Sequence, residues 1–215
     1  ATNAETLAMP SDFPGYSLDD LRKLADLIQR TGVSVDRIPA LDRPQFLSIS
    51  DASLSMENSE IVFVIHYPDN LVRIYPRRIL LWHEAVNDVL PDSGEGLSLS
   101  PLQGASETAA ESYTITYSPL SGSVVAFRSL SGRYGSPFGV SGILLHGNSV
   151  LYHRISRSLW NQLMGVFLEG PLWGKRLQPI PVLSATWGGV QARSGGLTSS
   201  VSGRADVLSR ATGPR

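Results

Sequence analysis

Two short apolar runs limit the folds open to this chain more than any other feature. Ile61-Val62-Phe63-Val64-Ile65 and Leu71-Val72-Arg73-Ile74-Tyr75 are dense in β-branched and aromatic side chains, with Tyr67-Pro68-Asp69-Asn70 between them. Such side chains lose rotamer freedom in a helix and pack well on a pleated surface. Pro, Asp and Asn supply turn dihedrals, so the segment reads as a hairpin. The pattern returns at Tyr113-Thr114-Ile115-Thr116-Tyr117 and Ser123-Val124-Val125-Ala126-Phe127, joined by Ser118-Pro119-Leu120-Ser121-Gly122. Further strands are expected near 149–153 and 165–168. With 20 glycines and 14 prolines punctuating 215 residues, long helices are disfavoured. The expected fold class is α+β and β-rich: a mainly antiparallel sheet or partly open barrel, a few short helices and one N-terminal amphipathic helix.

That amphipathic helix is expected over 17–31. Ser17 and Asp20 stand at capping-box spacing, Tyr16 and Leu21 at the positions of a hydrophobic staple, and Leu21, Leu24, Ala25 and Ile28 on one face before Gly32 stops the run. After Pro76, the spacing of Ile79, Leu80, His83 and Val86 predicts a shorter helix over 77–86. Pro91 to Thr108 reads as a surface loop. Residues 188–215 carry Gly and Ser with few large apolar groups, which offsets little of the entropy of ordering them. Three regions result: an N-terminal extension over 1–37, a β-rich core domain over 38–187, and a Gly/Ser-rich C-terminal extension over 188–215.

Charge and composition exclude several classes of function. Lys and Arg total 18 against 19 Asp and Glu, so no global positive field favours nucleic acid. The longest apolar run, Ile61 to Ile65, falls far short of the ~20 residues a membrane-spanning helix needs. The absence of cysteine removes disulfides, thiolate nucleophiles and Cys-ligated zinc together. The opening Ala1-Thr2-Asn3-Ala4 fits a mature chain that follows a small-residue cleavage site.

His83-Glu84 on the expected short helix, with Asn87 and Asp88 one turn later, would share a face and could serve as a general base or a metal-binding cluster. The competing reading is a capped helix with a polar face, and His66, His83, His146 and His153 show no dense ligand spacing. Ser118, Ser121 or Ser141 with His83 and Glu84 could supply a hydrolase triad. Gly139-Val140-Ser141-Gly142 lacks the nucleophile-elbow spacing, however, and Phe138 to Gly142 reads better as a turn of close backbone approach. In Ser118-Pro119-Leu120-Ser121-Gly122 the hydroxyls are expected to satisfy backbone groups of a turn. Trp82, Trp160, Trp173 and Trp187, with Tyr75, Tyr113, Tyr117 and Tyr152, read mainly as core, with a ligand cleft or partner surface as the alternative. No cofactor or metal is expected.

Tyr75 to Asp88, Thr116 to Ser123 and Phe138 to Gly142, flanked by Ile38-Pro39-Ala40-Leu41-Asp42 and Ser158-Leu159-Trp160-Asn161-Gln162-Leu163, follow one colinear order. This set resembles the family called domain of unknown function 3179, over about residues 38–187. The resemblance implies a prokaryotic, often exported protein and brings no activity with it. It also implies a candidate family site at His83, Glu84, Asp88, Tyr117, Ser118, Ser121 and Ser141, with a Cys-x-x-Cys pair where this chain has Ser118 and Ser121. A hydroxyl can neither cycle through a disulfide nor ligate a soft metal well. The expectation is therefore a non-catalytic binding or assembly module, periplasmic or extracellular, such as an accessory subunit on the outer face of a membrane complex. Its protein partner would be engaged through the terminal extensions, within 188–215 among them. The rival is a redox or metal-binding enzyme whose cysteine pair is replaced by Ser118 and Ser121.

Overall fold

The computed structural model describes residues 17–42, 44–67, 72–89, 112–130, 138–197 and 205–208. Its first helix, α1 (Leu18–Asp26), starts at a complete capping box: the Ser17 hydroxyl accepts from Asp20 N–H, and the Asp20 carboxylate accepts from Ser17 N–H. Asp20 is thereby held below the usual carboxylate range, chiefly by its side-chain bond to Ser17. The helix stops at Leu27 rather than continuing to residue 31. Ile28–Arg30 instead forms strand β1, pairing antiparallel with β9 (Phe138–Leu145) in the register Ile28 opposite Leu145. Sheet pairing outweighs helical periodicity there, because it satisfies the backbone and still buries part of Ile28. The expected staple residue Tyr16 and the loop over Pro91 to Thr108 lie outside the described residues.

The described residues form three five-stranded sheets. The first runs β1, β9, β10 (Asn148–His153), β11 (Leu159–Asn161) and β12 (Val166–Glu169). The second runs β13 (Pro179–Ile180), β8 (Ser123–Arg128), β7 (Ser112–Ser118), β6 (Ala85–Val89) and β2 (Leu41–Asp42). The third runs β14 (Leu183–Thr186), β4 (Ile61–His66), β5 (Val72–Pro76), β15 (Ala205–Leu208) and β3 (Phe46–Ser48). The pairings are antiparallel except β2 with β6 and β15 with β5. The fold is thus β-rich α+β with mainly antiparallel sheets.

Four apolar clusters order the layers. Leu21 of α1 packs with Ile143, Leu145 and Val150 on the outer face of the first sheet. Phe127, Phe138, Leu151 and Trp160 fill the space between first and second sheets. Phe63, Tyr75, Ile115 and Tyr117 fill that between second and third. On the far side, Trp187 of α4 (Trp187–Leu197) and Ala52 of α2 (Ile49–Ala52) cover Val62, Ile74 and Val207. The second sheet therefore has core on both faces, which explains why β7 is buried from Tyr113 to Ser118.

The short helix after Pro76, α3 (Arg77–His83), ends before the expected residue 86. Glu84 adopts a left-handed φ of 54° and turns the chain directly into β6. Asn87 and Asp88 consequently sit on a strand and not one helical turn beyond His83, which corrects the shared-face reading. Phe138 to Gly142, expected as a turn, forms part of β9. Its pairing with β10 shifts between Val150 and Leu151, leaving Ser141 and Gly142 as a bulge. Gly142 (φ +71°) lets Val33 come so near that a Cβ would lie 2.3 Å from the Val33 carbonyl oxygen. Within the stretch read as a C-terminal extension, α4 caps the third sheet and β15 is one of its inner strands.

Candidate functional site

Glu84 caps the end of α3, Ser118 ends β7 and Ser149 is the second residue of β10, so a helix end and strands of two sheets converge where the β7–β8 turn meets the first sheet. Glu84 is fixed by backbone: its N–H donates to Leu80 (2.8 Å) and its carbonyl accepts from Tyr117 N–H (2.8 Å). Its carboxylate Oε2 accepts from the Ser149 hydroxyl at 3.2 Å, and Ser149 Oγ lies 3.1 Å from Ser118 Oγ. Ser149 has one hydroxyl proton; when it serves the carboxylate, Ser118 donates its own proton to Ser149. Ser118 also accepts from Ser149 N–H at 3.0 Å and is fully buried. Burial holds the Glu84 carboxyl above its usual range, opposed by the bond from Ser149.

Beside this relay lies a second network centred on Asn148. Its Nδ2 faces Gln162 Oε1 (2.8 Å), Ser121 Oγ (3.0 Å) and Ser123 Oγ (3.1 Å), while its Oδ1 accepts from Asn161 Nδ2 (3.0 Å) and Leu163 N–H (3.1 Å). Ser123 donates to Gln162 Oε1 at 2.9 Å, and Gln162 Nε2 donates to the carbonyls of Thr116 and Ser123. Gln162 and Asn161 are buried. Buried amides must find partners, and here they find one another and the hairpin.

The expected site residues are thus only partly assembled. Glu84 and Ser118 meet through Ser149, and Ser121 joins the neighbouring network. His83 does not join either; its Nδ1 lies 2.8 Å from the Pro39 carbonyl. Asp88 is a separate feature between second and third sheets, where its Oδ2 accepts from Tyr113 (2.6 Å) and Tyr75 (3.3 Å). Burial holds both phenols above their usual range. Tyr117 is core, its ring 5.8 Å from that of Phe63. Ser141 spends its hydroxyl on the Val150 carbonyl and accepts from Ile143 N–H in the β9 bulge. Asn87 is structural too, tying β6 to Asp42, Thr114 and Phe138. Of the aromatics weighed as core or surface, Trp160, Trp187, Tyr75, Tyr113, Tyr117 and Tyr152 are buried, while Trp82 is 77 % exposed.

Asn148, Ser149, Asn161 and Gln162 escape a sequence reading because no local spacing links them to one another, and the pairing of β10 with β11 is what brings them together beside the hairpin. Among the described residues, no group of three or more His, Asp or Glu is placed to hold a metal ion, and no helix is long and apolar enough to cross a membrane.

No curated protein and no solved structure matches the chain. A family model does, described as protein of unknown function (DUF3179), over residues 35–213. That span takes in Glu84, Ser118, Ser121 and the amides around Asn148, and it runs from before β2 to beyond β15, through every strand of the second sheet. The chain belongs to the DUF3179 family.

Proposed function

We propose that this chain is a non-catalytic, exported binding module, an accessory component of a larger assembly at the outer face of a membrane complex. One observation carries the reading: the hydroxyl of Ser118 is fully buried and held by Ser149, with no imidazole among its hydrogen-bond partners. A serine nucleophile needs an accessible oxygen and a base to take its proton. Glu84 meets Ser118 only through Ser149, and His83 is engaged by Pro39. A site whose polar side chains are spent on one another acts by shape.

The surface that fits this role adjoins the same networks. Leu120, between Ser118 and Ser121, is 72 % exposed; Leu163, whose N–H bonds Asn148, is 56 % exposed; Trp82 stands two residues before Glu84. Exposed Trp and Leu on a rigid support suit a protein contact, since aromatic anchors dominate interface energetics. Isolating the native protein gently and identifying what co-purifies tests the proposal. A defined partner is expected, lost with Trp82→Ala or Leu120→Asp while the fold is kept. Turnover of any substrate that disappears in Ser118→Ala with folding intact would sink the proposal. Stoichiometric metal bound once Ser118→Cys and Ser121→Cys are combined would favour the redox or metal-binding rival.

A further inference from the structure

The third sheet is completed by a strand from the far end of the chain. β15 lies between β5 and β3, parallel to the first (Val207 opposite Ile74) and antiparallel to the second (Val207 opposite Leu47). Among the described residues β3 pairs with no other strand. Adjacent strands stand ~4.8 Å apart, so β3 and β5 are about twice that distance from each other and cannot pair directly. Taking β15 away leaves a slot with bare N–H and C=O groups on both walls.

Side chains make the slot selective. Val207 and Leu208 point to opposite faces and are 1 % and 2 % exposed. Val207 joins Ala52, Val62, Ile74 and Trp187 on the outer side, whereas Leu208 joins Phe63 and Tyr75 on the inner side. The slot therefore asks for an extended segment of set direction carrying two consecutive apolar side chains. Between α4 and β15 the chain reads Thr-Ser-Ser-Val-Ser-Gly-Arg over 198–204, mostly small and polar, so the strand is tied to the rest of the protein by a segment poor in apolar anchors.

We propose that the slot between β3 and β5 also accepts Ala205–Leu208 of a second copy of this chain, so that two molecules join by reciprocal exchange of their C-terminal strands. A second copy supplies the required segment by identity, and reciprocal exchange closes into a two-fold dimer that leaves no slot empty. Every contact made within one chain is made again between chains; what differs is the effective concentration of the tethered strand, on the order of millimolar for a strand on a short linker. The inference rests on strand pairing alone, independent of whether the Ser118 region is catalytic.

Donor- and acceptor-labelled full-length populations, mixed at rising concentration up to roughly that millimolar value, are expected to form a dimer showing energy transfer. Excess free peptide spanning 205–215 should return it to monomers, which it could not do to a dimer held through an outer surface. Val207→Asp places a carboxylate in the core and risks unfolding the whole chain, so a second measurement avoids it. The full chain, given a protease site within 198–204 and cut there, should keep its C-terminal peptide bound. A labelled peptide should replace that piece, and its Val207→Asp version should not. A chain that stays monomeric throughout the range, a dimer indifferent to excess peptide, or a cut chain that sheds the peptide with folding unchanged overturns the proposal.

Discussion

Replacing Asn148 with alanine should be among the more damaging single changes in the protein, although the side chain touches no apolar core. Its Nδ2 has two protons for three nearby acceptors, and its Oδ1 takes two donors, so about four hydrogen bonds are lost. Two of these end at Ser121 and the Leu163 backbone, which are exposed and regain water, and one ends at Gln162 Oε1, which keeps the Ser123 hydroxyl as a donor; each should cost about 0.5–1 kcal/mol. The fourth ends at Asn161 Nδ2, which is buried and would be orphaned, at about 1–3 kcal/mol. The sum is roughly 2.5–6 kcal/mol, or a fall in melting temperature of roughly 5–24 °C for a chain of this length. Ser121→Ala, at the exposed end of the same network, should cost only about 0.5 kcal/mol. Urea titration followed by fluorescence of the buried Trp160 and Trp187 measures both, with an unchanged m-value showing that the same surface unfolds. If Asn148→Ala lies within about 1 kcal/mol of the parent, or Ser121→Ala is equally costly, the amides are not the hub described.

Glu84 and His153 should pull the pH dependence of stability in opposite directions. The folded Glu84 carboxyl titrates above its ordinary 4.5, so its ionised form is disfavoured by folding; Glu84→Gln should be more stable than the parent at neutral pH, the gap closing as pH falls below 4.5 in parallel urea titrations. Burial lowers the His153 imidazole, whose Nδ1 accepts from Ser156 N–H at 3.1 Å. Its share of stability is therefore complete above 6.5 and is lost as pH drops below that value toward the folded pKa, a slope His153→Gln should lack. Gly139→Ala should destabilise by about 1–3 kcal/mol in thermal melts, since a Cβ there would lie 2.4 Å from Tyr152 Cε1 and 2.7 Å from Asp36 Oδ1.

How much of this was legible depends on whether the determining contacts are near in sequence. The capping box at Ser17 and the hairpins β4–β5 and β7–β8 are set by neighbouring residues, and local chemistry predicts them. The end of α1 and of α3 is set elsewhere: Ile28 leaves helical periodicity for a partner at Leu145, and Glu84 leaves it because its neighbours enter the second sheet. β15 is the extreme case, with only Val207 and Leu208 as anchors and partners far away in the chain. In the candidate site, Glu84 and Ser118 could be singled out by type, but their connection through Ser149 exists only once β10 is laid against the hairpin.

The ladder between β6 and β7 has a practical corollary. Val89 and Ser112 face each other across it, so the chain departs from the second sheet and comes back at neighbouring points. Any segment that joins those points has its two ends held side by side by the sheet, whatever its length. The same position is a poor place to cut the gene in two, because each half would carry one side of a ladder with buried layers above and below it, and neither could hide its bare edge until it met the other.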